Sequence, residues 1–251
     1  MILYFSATGN SLHVAKCIAL PGEEILSIPE EEKAKRYSLT VNDGRLGIIS
    51  PTYEFTMPNI VSDYLEKMEL SFDEKPYLFY VGTYGTTAGA SAAMADDLLK
   101  KKGLRFDALF DIKMPDTWTP MYDLSDPEKV KQINEQADRE IEELKNQLAG
   151  QMTGKHMSLT VPKFAGKIGK QLYDRRVSRT DNLTLTDACI GCGLCAKKCP
   201  VQAIEMRNKK PVWIKKHCVM CLGCLHRCPK NAIECGPNTR KHGQYLHPPT
   251  R

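Results

Sequence analysis

Eight cysteines in the C-terminal part of the chain fall into two copies of one spacing, C-x2-C-x2-C-x3-C-P. In such a run, three closely spaced thiolates hold three corners of a [4Fe–4S] cube, and the fourth, which precedes a proline, binds the other cube. We therefore expect a crosswise assignment to two clusters. One set is Cys189, Cys192, Cys195 and Cys228, and the other is Cys199, Cys218, Cys221 and Cys224. Because such clusters pass electrons one at a time, the spacing predicts a redox protein.

The two runs also form an internal repeat, since Cys189, Pro200 and Ile204 correspond to Cys218, Pro229 and Ile233. A structural zinc ion held by four cysteines is the alternative reading. Zinc sites usually pair two C-x2-C units across a long spacer, whereas here each run has three thiolates at x2-x2 spacing followed by x3-Cys-Pro. With an Ala-Ile strand after each run, residues 183–236 resemble the bacterial ferredoxin fold, a small α+β domain with two [4Fe–4S] clusters.

The composition of the 251-residue chain suits a globular protein with one ordinary domain and one small domain. No apolar run approaches the roughly 20 residues that span a bilayer. Residues 1–5 are apolar but lack a basic start and a cleavage signal, so we expect a buried strand rather than a secretory leader. Only Cys17 and Cys235 fall outside the two sets, so disulfides are not implied and a cytoplasmic location is predicted.

The charge is divided unevenly along the chain. Residues 1–150 contain 16 basic and 25 acidic side chains, whereas residues 151–251 contain 19 basic and 5 acidic ones. A basic half can indicate nucleic-acid binding. However, each oxidised cluster with its four thiolates adds a charge of about −2, so nucleic acid is not expected. We expect the two halves to face one another, or the basic face to receive an acidic redox partner. The sequence leaves the oligomeric state open.

Residues 1–150 alternate strand-like apolar runs with helical segments. Strands are predicted at residues 1–5, 24–28, 45–50, 77–82 and 106–113. Helices are predicted at residues 10–19, 58–68, 89–102 and 127–148, the last opened by a capping box of Ser125 and Glu128. This order predicts an α/β domain with a doubly wound, five-stranded parallel sheet and a ligand site at the carboxyl ends of its strands.

The loop after the first strand, residues 6–11, combines hydroxyls with a glycine directly before a helix. Its candidate binding residues are Ser6, Thr8, Gly9, Asn10 and Ser11. The hydroxyls can bind a terminal phosphate, Gly9 lets the backbone amides turn inwards, and the helix N-terminus favours an anion. An ordinary helix cap is the alternative, since Ser, Thr and Asn favour that position. The hexapeptide resembles the phosphate loop of flavodoxins, which bind FMN.

The flavodoxin resemblance, which covers residues 1–150, implies that the loops after the third and fourth strands hold the flavin ring. The candidates are Pro51, Thr52, Tyr53, Gly82, Thr83, Tyr84, Gly85 and Gly89. Tyr53 and Tyr84 are the candidates to stack on the ring, and Phe55 is a further candidate. These residues are alternatively loop aromatics that cover the core. One departure is that the segment from Glu54 to Met57 contains no glycine, which many flavodoxins have there.

We divide the chain into a flavodoxin-like FMN-binding domain at 1–150, a basic connector at 151–182, a ferredoxin domain at 183–236 and a tail at 237–251. The connector is either a solvated tether or, as we prefer, a segment that packs on the acidic half and sets the distance between cofactors. Trp118 and Tyr122, after the fifth strand, are expected either to shield the flavin or to belong to the core.

The whole chain resembles flavodoxin–ferredoxin fusion proteins of anaerobic bacteria and archaea. The resemblance implies one FMN, two [4Fe–4S] clusters and an electron-transport function, with a redox protein as donor or acceptor. The alternative is an iron–sulfur flavoprotein oxidoreductase, in which the clusters feed an FMN that reduces a small organic acceptor. Glu54 and His13 are the candidate proton donors for that reaction. No dinucleotide fingerprint is present, so a bound nicotinamide is not expected.

Overall fold

The computed structural model describes residues 1–42, 44–158 and 160–248. The strands are β1 Ile2–Tyr4, β2 Ile25–Ser27, β3 Ser38–Thr40, β4 Arg45–Pro51, β5 Glu69–Ser71, β6 Tyr77–Tyr84, β7 Ala108–Lys113, β8 Gly154–His156, β9 Leu183–Leu185, β10 Ile204–Arg207, β11 Lys210–Trp213 and β12 Ile233–Cys235. The helices are α1 Asn10–Ile18, α2 Ile28–Ala34, α3 Asn59–Lys67, α4 Ser91–Lys100, α5 Pro127–Ala149, α6 Lys163–Leu172, α7 Leu194–Lys197 and α8 Gly223–His226.

The N-terminal half is built on a parallel sheet with strand order β2-β1-β4-β6-β7-β8. Its first strand lies in the interior, because Ile2 pairs with Ile25 on one side and with Gly47 on the other. In chain order, the first five strands follow the 2-1-3-4-5 arrangement of the flavodoxin-like doubly wound fold. The α/β fold class predicted from the sequence is therefore confirmed.

The sheet has a sixth strand that the sequence analysis did not predict. Strand β8 lies in the segment assigned to the connector and pairs with β7, with Gly154 opposite Ala108. Its three residues, Gly-Lys-His, are exposed, so the sequence has no apolar run there that would predict a strand. The strand is held at the sheet edge by its backbone ladder and by a hydrogen bond from the Tyr77 hydroxyl to the carbonyl of Met152, at 2.5 Å. Helix α2 and a separate two-stranded sheet of β3 and β5 were also not predicted.

Apolar side chains fill both faces of the large sheet. On one face Phe5 and Tyr80 pack with Tyr64 of α3, and on the other Phe79 packs with Val14 of α1 and Ile141 of α5. All eight residues of β6 are buried, as expected for a central strand covered on both faces. This packing leaves the carboxyl ends of the strands as the edge where loops can build a site.

The predicted capping box at the start of α5 is wrong. The N-cap is Asp126, whose carboxylate accepts hydrogen bonds from the amides of Glu128, at 3.0 Å, and Lys129, at 3.1 Å. The amide of Ser125 instead donates to Asp123, at 2.8 Å. An aspartate directly before Pro127 serves as the cap because its charged oxygen can satisfy two orphan amides at once.

The C-terminal domain has two similar halves. Strand β9 pairs antiparallel with β12, β10 pairs antiparallel with β11, and the short helices α7 and α8 begin within the two cysteine runs. The predicted small α+β arrangement is confirmed. A small core around Leu183, Leu225 and Ile233 holds these elements together.

Two segments join the halves of the chain. Helix α6 lies on the N-terminal domain, where Lys163 forms an ion pair with Asp97 at 2.6 Å. The tail returns to the first loop of that domain, where the His247 amide donates to the Thr8 carbonyl at 2.8 Å. The connector thus packs on the acidic half, which is the arrangement we preferred. Among the described residues, no helix has the length and apolar character needed to cross a membrane.

Candidate redox centre

A cavity of about 300 Å³ lies at the carboxyl ends of the large sheet. It is walled by the loops that follow β1, β4, β6 and β7, and by residues of the C-terminal domain. Most of the predicted flavin-site residues line it: Ser6, Thr8, Asn10, Ser11, Pro51, Thr52, Tyr53, Thr83, Tyr84 and Gly85. Gly9, Gly82 and Gly89 lie outside the lining. The volume is at the lower end of the range for small-molecule sites.

The first loop lines this cavity with groups that suit binding of an anion. Gly9 occupies the N-cap position of α1 with φ 107°, a conformation that glycine adopts at little cost. Helix α1 has no side-chain cap and no acidic residue in its first turn. Ser6 Oγ accepts a hydrogen bond from the Gly9 amide at 3.2 Å, which orders the turn before the helix. Ser11 Oγ lies 2.8 Å from Thr83 Oγ1, so two predicted loops meet here.

Aromatic side chains also line the cavity. Tyr53, Tyr84, Trp118 and Tyr122 all line it, together with the partly exposed Phe55. The Tyr84 hydroxyl is held by Ser158 Oγ at 2.7 Å, and the Tyr122 hydroxyl accepts a hydrogen bond from Thr86 Oγ1 at 2.9 Å. Trp118 both lines the cavity and packs on the small core of the C-terminal domain, so its two predicted roles remain open. A cavity wall that combines hydroxyls and helix-start amides with aromatic rings fits FMN, a phosphate joined to a planar ring.

A tight turn at residues 53–56 overhangs the cavity. Tyr53 and Thr56 exchange two backbone hydrogen bonds, while Glu54 and Phe55 have φ values of 45° and 66°. Left-handed backbone is uncommon for such residues and is kept only where the surroundings enforce it. Here the Phe55 carbonyl accepts a hydrogen bond from the Ala90 amide at 2.7 Å. The turn itself contains no glycine, but the two segments that pack against it each contribute one.

Those packing glycines are Gly89 and Gly169. A Cβ atom on Gly89 would lie 2.4 Å from the Phe55 carbonyl oxygen, and one on Gly169 would lie 2.4 Å from the Glu54 carbonyl oxygen. Both contacts are too close for any larger residue. This role of α6 was not predicted, although the Gly166-x-x-Gly169 spacing was an available signal.

Two carboxyl groups belong to the cavity wall, Glu54 and Asp116. Burial raises the pKa of both, and the charge of Asp116 raises the pKa of Glu54 further. Hydrogen bonds to Asp116 from the Trp118 amide and from Thr86 Oγ1 oppose part of its rise in pKa. Asp116 was not predicted, although its place in the loop after β7 was a signal. His13 is not on this wall and pairs with Asp138, Nε2 to Oδ1, at 2.6 Å.

The eight predicted cluster ligands surround two further cavities. The inner set is Cys199, Cys218, Cys221 and Cys224, and the outer set is Cys189, Cys192, Cys195 and Cys228. Each cavity is lined by the four cysteines of one crosswise set. Backbone amides donate to several of the sulfurs, among them Ala203 to Cys199, Met220 to Cys218 and Ala232 to Cys228, at 3.2–3.3 Å.

These surroundings fit cysteines that bind iron. Burial raises the pKa of the Cys218 thiol to about 11 and that of Cys221 to about 12. Buried thiols of this kind become thiolates when a metal centre compensates their charge. The amide donors to sulfur supply a second source of stabilisation for the negative cluster.

The inner set adjoins the large cavity, and the outer set faces solvent. Met220, Cys221 and Leu222 line both the large cavity and the inner cysteine cavity. In the outer set Cys192 is exposed, and its neighbour Ile190 is 60% exposed. The three sites therefore follow one another from the domain junction to the surface.

The C-terminal domain can now be assigned by comparison with known proteins. Residues 188–233 match the family described as 4Fe-4S dicluster domain. This match supports iron–sulfur clusters over the zinc alternative and confirms the predicted domain type. The chain thus combines a flavodoxin-like fold with a 4Fe–4S dicluster domain, which is the combination expected from the sequence. The chain is therefore an electron-transfer protein of the iron–sulfur type.

Several solved structures show similarity to the chain at low identity. One is the rubredoxin oxygen:oxidoreductase of the anaerobe Desulfovibrio gigas, with 16% identity, TM-score 0.34, and coverage of 57% of this chain and 35% of that one. A second is a flavodiiron core from Synechocystis, with 17% identity, TM-score 0.34, and coverage of 59% and 36%. The chain thus spans only about a third of the length of these two proteins.

A third is a short-chain flavodoxin associated with a bacterial microcompartment, with 19% identity, TM-score 0.34, and coverage of 55% of this chain and 92% of that one. Among curated proteins, none matches the chain.

Proposed function

We propose that the protein relays electrons between FMN, bound in the large cavity, and an external redox partner, by way of an inner and an outer [4Fe–4S] cluster. The observation that carries this proposal is the position of Cys221, which lines both the large cavity and the inner cysteine cavity. A ligand of the inner cluster would then lie directly against the flavin.

The chain's residues have distinct tasks in this proposal. Thr8 and the amides at the start of α1 would hold the FMN phosphate, while Tyr53 and Tyr84 would contact the ring. When bound, FMN exchanges two electrons in total, whereas each cluster passes one at a time. Met220, Leu222 and Tyr173 are buried residues of the cavity wall and would exclude water between a bound flavin and the inner cluster.

The external partner would dock where the outer cluster approaches the surface. Exposed lysines surround this edge, and the Lys210 ammonium donates to the Cys189 carbonyl at 3.1 Å. The exposed lysines are Lys197, Lys198, Lys209, Lys210 and Lys230. A positive rim around the exposed Cys192 suits an acidic redox protein, because opposite charges accelerate and orient encounter.

The first test is the cofactor content of anaerobically purified protein. We expect about eight iron, eight sulfide and one FMN per chain. Zinc without sulfide would contradict the cluster proposal. Clusters without flavin would contradict the assignment of the large cavity.

The relay itself is tested with Cys192→Ala, which removes an outer ligand. A limiting reductant should still reduce FMN and the inner cluster, while electron transfer to an acidic one-electron acceptor protein should fall at least about tenfold. Lys129→Ala, an exposed change on α5, serves as the control and should leave the rate unchanged. An equal rate in Cys192→Ala would show that electrons leave by another route.

A second candidate function is the reduction of a small organic acceptor at the flavin. The observation that favours it is the pair of carboxyl groups, Glu54 and Asp116, on the cavity wall with raised pKa. A carboxyl that holds its proton above the ordinary pKa of about 4.3 can act as a proton donor. Glu54→Gln should slow reduction of a benzoquinone probe if this function is real, whereas Asp138→Asn should not. Equal rates in both variants would exclude Glu54 from such a reaction.

A further inference from the structure

Helix α6 presents an apolar stripe to solvent. Phe164 is 68% exposed, Ile168 is 64% exposed and Leu172 is 45% exposed. Residues four apart lie on the same side of a helix, so these three form one continuous ridge. Large apolar side chains that are exposed together in this way indicate an interaction surface.

The ridge points away from the rest of the protein. The opposite side of α6 carries Gly166 and Gly169, both buried, which pack against Ala90 and Glu54. The helix continues into a π-helical turn, Tyr173–Val177, whose Tyr173 is also buried. Helix α6 is therefore held flat on the protein by its small residues, with its apolar side outwards.

Positive charges flank the ridge. Lys163 and Lys170 are engaged with Asp97 and Asp174. The other cations of the segment are exposed and make no ion pair with any carboxylate in the described part of the chain: Lys167, Arg175 and Arg176.

We propose that α6 is a peripheral membrane-binding helix that lies in the surface of an anionic bilayer. A helix with an apolar face, a basic flank and its axis parallel to the protein surface has the features of interfacial helices. The three cations without an ion pair are complementary in charge to anionic headgroups. Each contributes favourable binding free energy near such a surface. Charge complementarity thus favours an anionic bilayer over a second copy of this chain, whose basic flank would repel an identical flank. This proposal goes beyond electron relay and does not depend on it.

Binding would bring the large cavity close to the membrane. Gly169 contacts the Glu54–Phe55 turn, which overhangs the cavity, so only the thickness of one helix, about 10 Å, would separate that turn from the bilayer surface. A redox partner confined to the membrane could then exchange electrons with the protein without first dissociating into solution.

The test is co-sedimentation of the holoprotein with lipid vesicles. We expect binding to vesicles of phosphatidylcholine mixed with phosphatidylglycerol, at least about tenfold weaker binding to phosphatidylcholine alone, and loss of binding at high salt. Wild-type protein that remains in the supernatant with both kinds of vesicle would overturn the proposal.

Two pairs of variants separate the apolar and the charged contributions. Phe164→Ser/Ile168→Ser should abolish sedimentation, whereas Leu20→Ser/Met152→Ser, at exposed apolar positions elsewhere, should not. Lys167→Glu should weaken binding about tenfold or more, and Lys129→Glu should not. Equal binding of wild type and the α6 variants would contradict the proposal.

Two further measurements complete the experiment. Cluster absorbance and circular dichroism that match wild type will show that the variants remain folded, as surface substitutions should. Sedimentation velocity without lipid addresses the alternative occupant. A wild-type dimer that dissociates in Phe164→Ser/Ile168→Ser, together with no vesicle binding, would assign the ridge to a second copy and overturn the membrane proposal.

Discussion

The phenol of Tyr245 donates a hydrogen bond to Oδ1 of Asn10 at 2.9 Å, across 235 positions of sequence. Both groups are buried, and the amide of Asn10 is in turn fixed by the Pro115 carbonyl at 3.2 Å. The end of the chain is therefore bound to the loop that we propose for the FMN phosphate. Gln244 holds the same tail to the cluster domain through the carbonyls of Leu225 and Cys228. The tail connects the two proposed cofactor regions.

Replacing Tyr245 with Phe should destabilise the protein by about 1–2 kcal/mol, because the carbonyl oxygen of Asn10 loses its buried partner. We also expect a few-fold weaker retention of FMN, since Asn10 lies in the phosphate loop. Denaturant unfolding and fluorescence titration with FMN measure the two effects. Tyr37→Phe is the matched control, because its hydroxyl makes only a 3.5 Å contact with Lys67. Equal losses in the two variants would show that the tail contact has no special role.

Replacing Thr8 with Val should weaken FMN binding about tenfold or more, because a hydroxyl bonded to a charged phosphate contributes about 1.5–3 kcal/mol. Riboflavin, which lacks the phosphate, should bind both proteins equally. Thr40→Val, at an exposed position far from the cavity, should change neither affinity. An unchanged FMN affinity in Thr8→Val would contradict the phosphate assignment.

The crosswise ligand assignment predicts opposite outcomes for two cysteines that look equivalent in the sequence. Cys199→Ala should damage the inner cluster, which lies beside the large cavity, and Cys228→Ala should damage the outer one. Electron paramagnetic resonance of the reduced protein and iron analysis distinguish the two, since each variant should retain one intact cluster. If Cys199→Ala instead lost the cluster of Cys189, Cys192 and Cys195, each run would bind its own cluster and the assignment would be wrong.

His247 should make stability depend on pH. Its ring is buried and stacks on that of His13, with centroids 3.9 Å apart. Burial, and secondarily the charge of His13, lower the pKa of His247 to about 4, while Asp138 opposes the shift. The folded state disfavours protonation of His247. The stability gained with a neutral His247 is therefore present in full above the unfolded pKa of about 6.5 and is lost as pH falls towards 4.

The variant His247→Phe keeps an aromatic ring and removes the titration. Wild type should lose stability relative to this variant between about pH 6.5 and 4, by at most about 1.4 kcal/mol per pH unit. Above about pH 7.5 the two stability curves should run parallel. Denaturant unfolding across this pH range measures the difference, and parallel curves throughout would rule out a titrating His247.

The large elements were predictable because their signals are local. Central strands such as β4 and β6 are rich in apolar residues over the length of a strand, and α5 keeps its buried residues at helical spacing. Elements without such a signal were missed. Strand β8 is exposed at the sheet edge, and α6 contains two glycines, which lower its helical propensity but allow neighbouring segments to pack closely against it. The domain boundaries and the flavin-site residues remain predictions.

By itself, the sequence determined the dicluster type of the C-terminal domain, because the cysteine spacing is a property of short loops. The division of the eight cysteines into two ligand sets stays a prediction. The sequence also determined an α/β half with a hydroxyl-rich loop before its first helix, because both features are contiguous in the chain. Only the tertiary structure decided that Cys221 faces the large cavity while Cys192 faces solvent. It alone decided that Asp116, Gly169 and Tyr245 converge on the predicted loops. These contacts join residues that are far apart in sequence. They are set by the packing of one domain on the other, which no local sequence pattern encodes.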